Sequence, residues 1–312
     1  MTQLGRIVQG VSKTGFPVPF RLRHTKRSAQ RIRGKEARAF WFMRIVTYAI
    51  ILVVAYIIFD IVRHGIGTLS WKFLTTMPRR SGAEGGILPV IVGTILLVGC
   101  TIIVAMPLGM AGAVYLTEYA HQGKLTRAIR LAIVTLAGIP SIVFGLFGLG
   151  LFVIFLGFGA SILAGSLTLA CMILPIIIVA SEEALKAIPQ SFREGSLALG
   201  ATKWQTIRRN VLPYAVPGML TGSILGVGRA AGETAPILLT VAAFYLPMLP
   251  HSLFDQVMAL PYHLYILSTQ LPDVDKVRPM QYGTALVLII LVLGMNLGAI
   301  ILRSRFRKKY RW

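Results

Sequence analysis

SFREGSLALGATKWQTIRRNVLPYAVPGMLTGSILGVGRAAGETAP, residues 191–236, decides the fold: a polar bend runs straight into an apolar, glycine-rich segment that holds two opposite charges. Ser191 followed three residues on by Glu194 is a capping-box pattern, so a short helix is expected to start there. Gly200 closes it, because glycine tolerates the left-handed conformation that ends helices, and Thr202 with Gln205 at once repeats the capping pattern. On the second helix Trp204, Ile207 and Val211 fall on one face and Lys203, Arg208 and Arg209 on the others, with Pro213 marking the next boundary. Two short helices bent at a glycine are polar enough to lie outside a bilayer and apolar enough to press against something. A connecting loop with well-capped helices is the plainer account of the same residues.

The apolar continuation carries Arg229 and Glu233, four residues apart and therefore on one helical face. Each charge near a bilayer centre costs about 3 kcal/mol on insertion scales, so such residues face protein or a hydrated path. Gly222, Gly226, Gly228, Ala230, Ala231 and Gly232 surround them, which lets a neighbouring helix approach closely or leaves room for a solute. Pro236 frees a backbone carbonyl beside Glu233 and Thr234. A guanidinium matches oxyanion geometry and stays charged, so Arg229 is the candidate to meet an anion in transit, with Glu233 holding or gating it. The alternative is a structural ion pair between packed helices.

The rest of the chain is scaffold for these two features. Of 312 residues 55% are hydrophobic and only 14% charged, and the mean hydropathy is +0.72, more apolar than a soluble core needs. The expected class is an all-α polytopic membrane protein with six transmembrane helices. Residues 1–40 hold ten Lys or Arg against Glu36 alone, and Arg303, Arg305, Arg307, Lys308, Lys309 and Arg311 follow the last apolar run. Positive charge beside a span resists translocation, so both termini are expected in the cytoplasm, which requires an even number of spans. These tails are drawn to anionic membrane lipids, and nucleic-acid binding is not expected of the net charge of +21.

The expected layout is a basic segment 1–38, a membrane domain 39–302 and a basic tail 303–312. Spans are expected at about 39–62, 87–119 (tilted, or kinked at Pro107), two within 131–180 with a hairpin at Gly157-Phe158-Gly159, 214–246, and 282–302. Pro140-Ser141 and Pro175 disturb the third and fourth. Segments 63–86 and 247–280 are expected outside and the elbow 182–213 inside. Cys100 and Cys171 lie far apart in apolar runs and make neither a disulfide framework nor a metal site.

The elbow resembles the EAA loop of ABC-importer permeases, whose pattern is EAA, three residues, G, nine residues, IxLP. Glu194, Gly200, Leu212 and Pro213 match literally, whereas Gly195 and Ser196 stand for the two alanines and Asn210 for the isoleucine. The string Arg229-Ala230-Ala231-Gly232-Glu233-Thr234-Ala235-Pro236 is similar to the RAxGETAP segment of phosphate-specific ABC permeases of the PstA type, as are Gly85-Gly86-Ile87 and Ile139-Pro140-Ser141. The long basic N-terminus departs from that family.

The resemblance implies a type I ABC importer permease fold that passes inorganic phosphate inward by alternating access. It implies a homologous second permease subunit, a cytoplasmic ABC ATPase dimer that carries ATP and Mg, and an external phosphate-binding protein. This chain itself is then no enzyme and binds no cofactor or metal. Glu194, Gly200, Leu212 and Pro213 would couple to the ATPase, while Arg229, Glu233 and Thr234 would line the path. Rival readings are a permease for sulfate or molybdate, a membrane enzyme acting on lipid phosphates, and a channel or self-powered transporter. The enzyme would need a nucleophile or metal cluster, and His24, His64, His121, His251 and His263 are scattered without ligand spacing.

Overall fold

A computed structural model describes residues 26–80, 84–270 and 274–309. Its contacts divide the chain into a unit ending at Ile58 and one starting at Phe59. The first helix, α1 (Lys26–Gly65), extends the expected span back into the basic segment, of which residues 1–25 lie outside the described ones. The described part of the 63–86 segment, residues 63–80 and 84–86, carries secondary structure of its own. Ser70 caps α2 (Trp71–Thr75) by accepting from the Phe73 amide at 3.2 Å, and β1 (Pro78–Arg79) pairs antiparallel with β2 (Glu84–Gly85).

The second span, α3 (Leu88–Val114), continues through a π turn at Tyr115–Tyr119 and keeps Pro107 inside a single helical run. The third differs from expectation. It starts at α4 (Lys124–Ala137), so that Lys124, Arg127 and Arg130 are helical rather than in a loop, and it bends by 104° before α5 (Ser141–Gly148) and its π continuation Leu149–Phe155. Pro140 is the cause: it lacks an amide hydrogen and holds the residue before it out of the helical region. The expected hairpin is present, with φ of +69° at Gly157 and +65° at Gly159.

The central element is α6 (Ile162–Lys186), capped by the Ser161 hydroxyl on the Ala164 amide at 3.2 Å. Its Leu169, Ile173 and Ile177 are buried with Leu97 and Ala105 of α3. The elbow follows as α7 (Gln190–Ala198) and α8 (Lys203–Thr206), then a π turn at Ile207–Val211 leads directly into α9 (Leu212–Gly232). Small residues set the α6–α9 crossing: a Cβ added at Gly222 would lie 2.4 Å from the Ala180 Cβ.

The fifth span is not one helix to Leu246. It stops at Gly232, Glu233 is extended (φ −77°, ψ 137°), and α10 (Ala235–Thr240) restarts with Pro236 in its first turn, where a missing amide hydrogen costs nothing. The following segment contains α11 (Leu260–Thr269), and α12 (Val274–Lys309) begins before the expected span and runs through most of the basic tail. Among the described residues five helices are long and apolar enough to cross a membrane, six when the bent α4–α5 pair counts as one.

Candidate functional site

The elbow is held by paired polar groups. Thr202 and Gln205 form the expected capping box, with the Thr202 hydroxyl accepting at 3.3 Å and the Thr202 amide donating to Gln205 Oε1 at 2.9 Å. Gly200 is left-handed at φ +81°, and a side chain there would meet open space. The Ser191–Glu194 box does not form. Pro189 occupies the cap with no side-chain bond, its extended ψ of 141° already setting the turn, and Glu194 is exposed. Trp204 does not share the buried face of Ile207 and Val211, because the π turn at 207 shifts the helical phase, and its ring is exposed. With Leu197 and Leu199, the latter 90% exposed, Trp204 gives the elbow an outward apolar tip. Arg208 and Arg209 flank it, also exposed.

Two contacts that the sequence did not announce anchor this tip. Arg193 donates to Glu118 through Nη2 at 2.7 Å and Nε at 3.2 Å, and two further hydrogens go to the carbonyls of Leu185 and Ile188. Their side chains are 14% and 8% exposed, so the pair joins α7 to the end of the second span in a nearly water-free setting. Ser196 and Asn210, both departures from the EAA pattern, bond to each other: Asn210 Nδ2 donates to Ser196 Oγ at 2.8 Å, and Ser196 shares a 3.0 Å hydroxyl contact with Thr206. The two residues that depart from the pattern thus satisfy each other's hydrogen bonds. Arg193 and Glu118 stand in the wall of a cavity of about 690 Å³, lined also by Thr117, Lys186 and Lys203. Next to it, Arg130 and Lys186 both reach Glu182, at 3.3 and 3.2 Å.

The break in the fifth span is put together differently. Arg229 occupies the last turn of α9 and Glu233 the extended residue beyond it, and they meet at 3.5 Å, the limit of a hydrogen bond, with side chains 33% and 18% exposed. Thr234 begins α10 with no side-chain capping bond. Just past the fifth-span break, α10 lies against α5: a Cβ at Gly145 would sit 2.9 Å from Pro236 Cα. Leu212 and Pro213 open α9 itself, so the elbow and Arg229 belong to one continuous helical run, residues 203–232.

Asn296 of α12, not singled out from sequence, abuts this site. Its amide nitrogen lies 3.3 Å from where a Gly228 Cβ would be, and its Oδ1 is buried without a hydrogen-bond partner. A lone amide in the apolar run of the last span was the available signal. Outside the spans, His263 of α11 is buried with neither ring nitrogen bonded, and burial pushes the imidazole down to about 4. The amides of His251 and Ser252 hold the exposed Asp255 carboxyl below the usual carboxylate range. Among the described residues no three His, Cys, Asp or Glu side chains gather as a metal site would require.

Residues 105–312 match the family of binding-protein-dependent transport system inner membrane components. The phosphate transport system permease protein PstA 1 of Mycobacterium tuberculosis is 37% identical over 303 residues, 95% of this chain and 96% of that protein. A probable ABC transporter permease protein, YqgI of Bacillus subtilis, is 35% identical over 80% of this chain and 88% of its own length. Among solved structures, a bacterial ABC transporter for the acidic polysaccharide alginate superposes with a TM-score of 0.60 at 14% identity over 88% of this chain and 99% of its own. An inward-facing methionine ABC transporter, MetNI, does so at 0.54 and 19% identity, over 71% and 94%. The fold is that of a type I ABC importer permease.

Proposed function

The chain belongs to the family of binding-protein-dependent transport system inner membrane components, and from that membership we propose that it is a permease subunit of an ATP-driven importer moving inorganic phosphate into the cytoplasm. The observation that carries this reading is the Arg229–Glu233 pair at the break of the fifth span. A charge pair kept at membrane depth, loosely bonded and part-exposed beside unwound backbone, is suited to exchanging its internal partner for a passing anion. Arg229 meets the oxyanion, Glu233 holds the guanidinium when no anion is present, and Thr234 adds a hydroxyl.

Coupling runs through the elbow. The exposed tip around Glu194 and Gly200 docks on a cytoplasmic ATPase dimer, which hydrolyses ATP with Mg. Leu212 and Pro213 join the tip to α9 without a flexible linker. From Leu212 to Arg229 a helix rises about 25 Å at 1.5 Å per residue, so a tilt imposed at the elbow reaches the break as rigid-body motion. A homologous second permease subunit completes the path, and an external phosphate-binding protein delivers the ion. Both termini lie in the cytoplasm, the N-terminal cations against anionic lipid.

The test is reconstitution with the second permease, the ATPase and the loaded binding protein in liposomes. Phosphate uptake that requires ATP, and that excess sulfate or molybdate does not suppress, is expected. Uptake without ATP would identify a self-powered transporter, and equal suppression by sulfate a different oxyanion permease.

A further inference from the structure

The fifth and sixth spans meet at a place that is polar, half-buried and incompletely bonded. Asn296 brings an amide from α12 against the backbone of Gly228, the residue before Arg229, and its carbonyl oxygen is buried without a donor. Gly232 is one turn further on the same face of α9; it is exposed, and a Cβ there would find nothing within 4 Å. The amide is thus followed, one helical turn along, by an open flank of α9 three residues past Arg229 and next to Glu233. An acceptor buried without a donor is costly, so this one calls for a partner that the described conformation does not supply. The only charged donor on the adjoining turn is the guanidinium of Arg229, and it faces Glu233.

A guanidinium alone does not tell phosphate from sulfate, since both offer it oxygen acceptors. The chemical difference is a proton: near neutral pH phosphate retains at least one P–OH, whereas sulfate has none. A site that recognises that hydroxyl must present an acceptor, and sites built to bond a substrate hydroxyl reject analogues that lack it. Building on the function proposed above, we infer that Asn296 is a specificity-determining residue, its Oδ1 accepting the P–OH of a phosphate held by Arg229 at the open flank of α9 beside Gly232. In the conformation described here the acceptor is closed off. The anion reaches it when α9 and α12 part, and filling it favours the parted state.

The experiment uses the solubilised assembly of this chain with its partner subunits, without the external binding protein, and measures binding of radiolabelled inorganic phosphate and sulfate by equilibrium dialysis. Asn296→Leu removes the acceptor at similar volume, and Asn296→Asp keeps one. The wild type is expected to prefer phosphate. Asn296→Leu should weaken phosphate binding about tenfold, the loss of one hydrogen bond, with sulfate unchanged; Asn296→Asp should keep the preference. If Asn296→Leu fails to assemble, Asn296→Ala and Asn296→Ser make the same comparison without and with an acceptor. Equal weakening of both anions, as expected if the amide serves only Arg229 or packing, would overturn the assignment, as would no change in either. Assemblies that bind and transport no phosphate even as wild type would instead refute the permease reading.

Discussion

The elbow and the fifth-span break belong to one helical run, yet their polar groups are treated in opposite ways. At the elbow Arg193 spends its donors on Glu118 and two carbonyls, Ser196 and Asn210 serve each other, and the Thr202 box closes on both sides. At the break Arg229 and Glu233 touch at 3.5 Å, Thr234 makes no cap, and Asn296 keeps an unused acceptor. Saturated bonding gives stiffness, which a force-transmitting element needs. Unfinished bonding leaves room for a partner that arrives and departs, which a transport site needs.

The largest stability effect should follow from breaking the stiff region. Glu118→Ala leaves Arg193 charged in a nearly dry setting, and removing one member of a buried pair costs about 3–5 kcal/mol. Thermal unfolding of the detergent-solubilised assembly should show a large drop, whereas a drop of similar size from Glu233→Ala would erase the contrast between the regions.

His263 extends the comparison to the segment between the fifth and sixth spans. Its folded value of about 4 lies below the ordinary 6.5, so unfolding takes up a proton between pH 6.5 and about 4. Stability is therefore full above pH 6.5 and falls as pH drops toward 4, by roughly 3 kcal/mol at 1.36 kcal/mol per unit. In a pH series of melting curves, His263→Leu should lack that decline; an identical slope in both proteins would show that the histidine is not its source.

Gly200→Val introduces strain of about 2 kcal/mol, since φ +81° suits glycine and a β-branched side chain least. With open space around the position, the cost is conformational, and the more telling effect is functional. ATP hydrolysis should persist while phosphate uptake falls, measured side by side in liposomes. Normal stoichiometry would remove the docking role from the bend.

The smallest effect sharpens the comparison most finely. Ser196→Ala should cost about 1 kcal/mol or more by stranding both Asn210 and the buried Thr206, and Asn210→Leu less, because Ser196 keeps its contact with Thr206; the double variant should cost less than the sum of the two, because the Asn210 amide is then no longer there to be stranded. Simple additivity would mean that the two residues do not act as a staple.

Much of this architecture was legible in the chain. Apolar run lengths located the spans, the Gly157–Gly159 hairpin and the Thr202 cap were readable as local chemistry, and Arg229 with Glu233 stood out as charges in an apolar segment. The breaks were less so. Pro140 and Pro236 warned of disturbance, but whether a proline bends a span by 104° or, like Pro107 and Pro175, sits inside a continuous helix depends on neighbours that local sequence does not name. The Ser191 box failed because Pro189 had already set the turn, and Trp204 was misplaced because a π turn changes helical phase without a residue signature. The Arg193–Glu118, Ser196–Asn210 and Gly228–Asn296 contacts join residues 75, 14 and 68 positions apart, and only folding brings them together.

The central claim is that the charge pair at the break handles the anion while the elbow supplies the motion. Its most direct measurement is ATP-dependent phosphate uptake by reconstituted assemblies carrying Arg229→Gln, with subunit composition and ATPase association checked in the same preparations. The account predicts intact assembly and uptake reduced to background. Uptake at the wild-type rate would show that Arg229 is a structural partner of Glu233 and that the ion passes elsewhere.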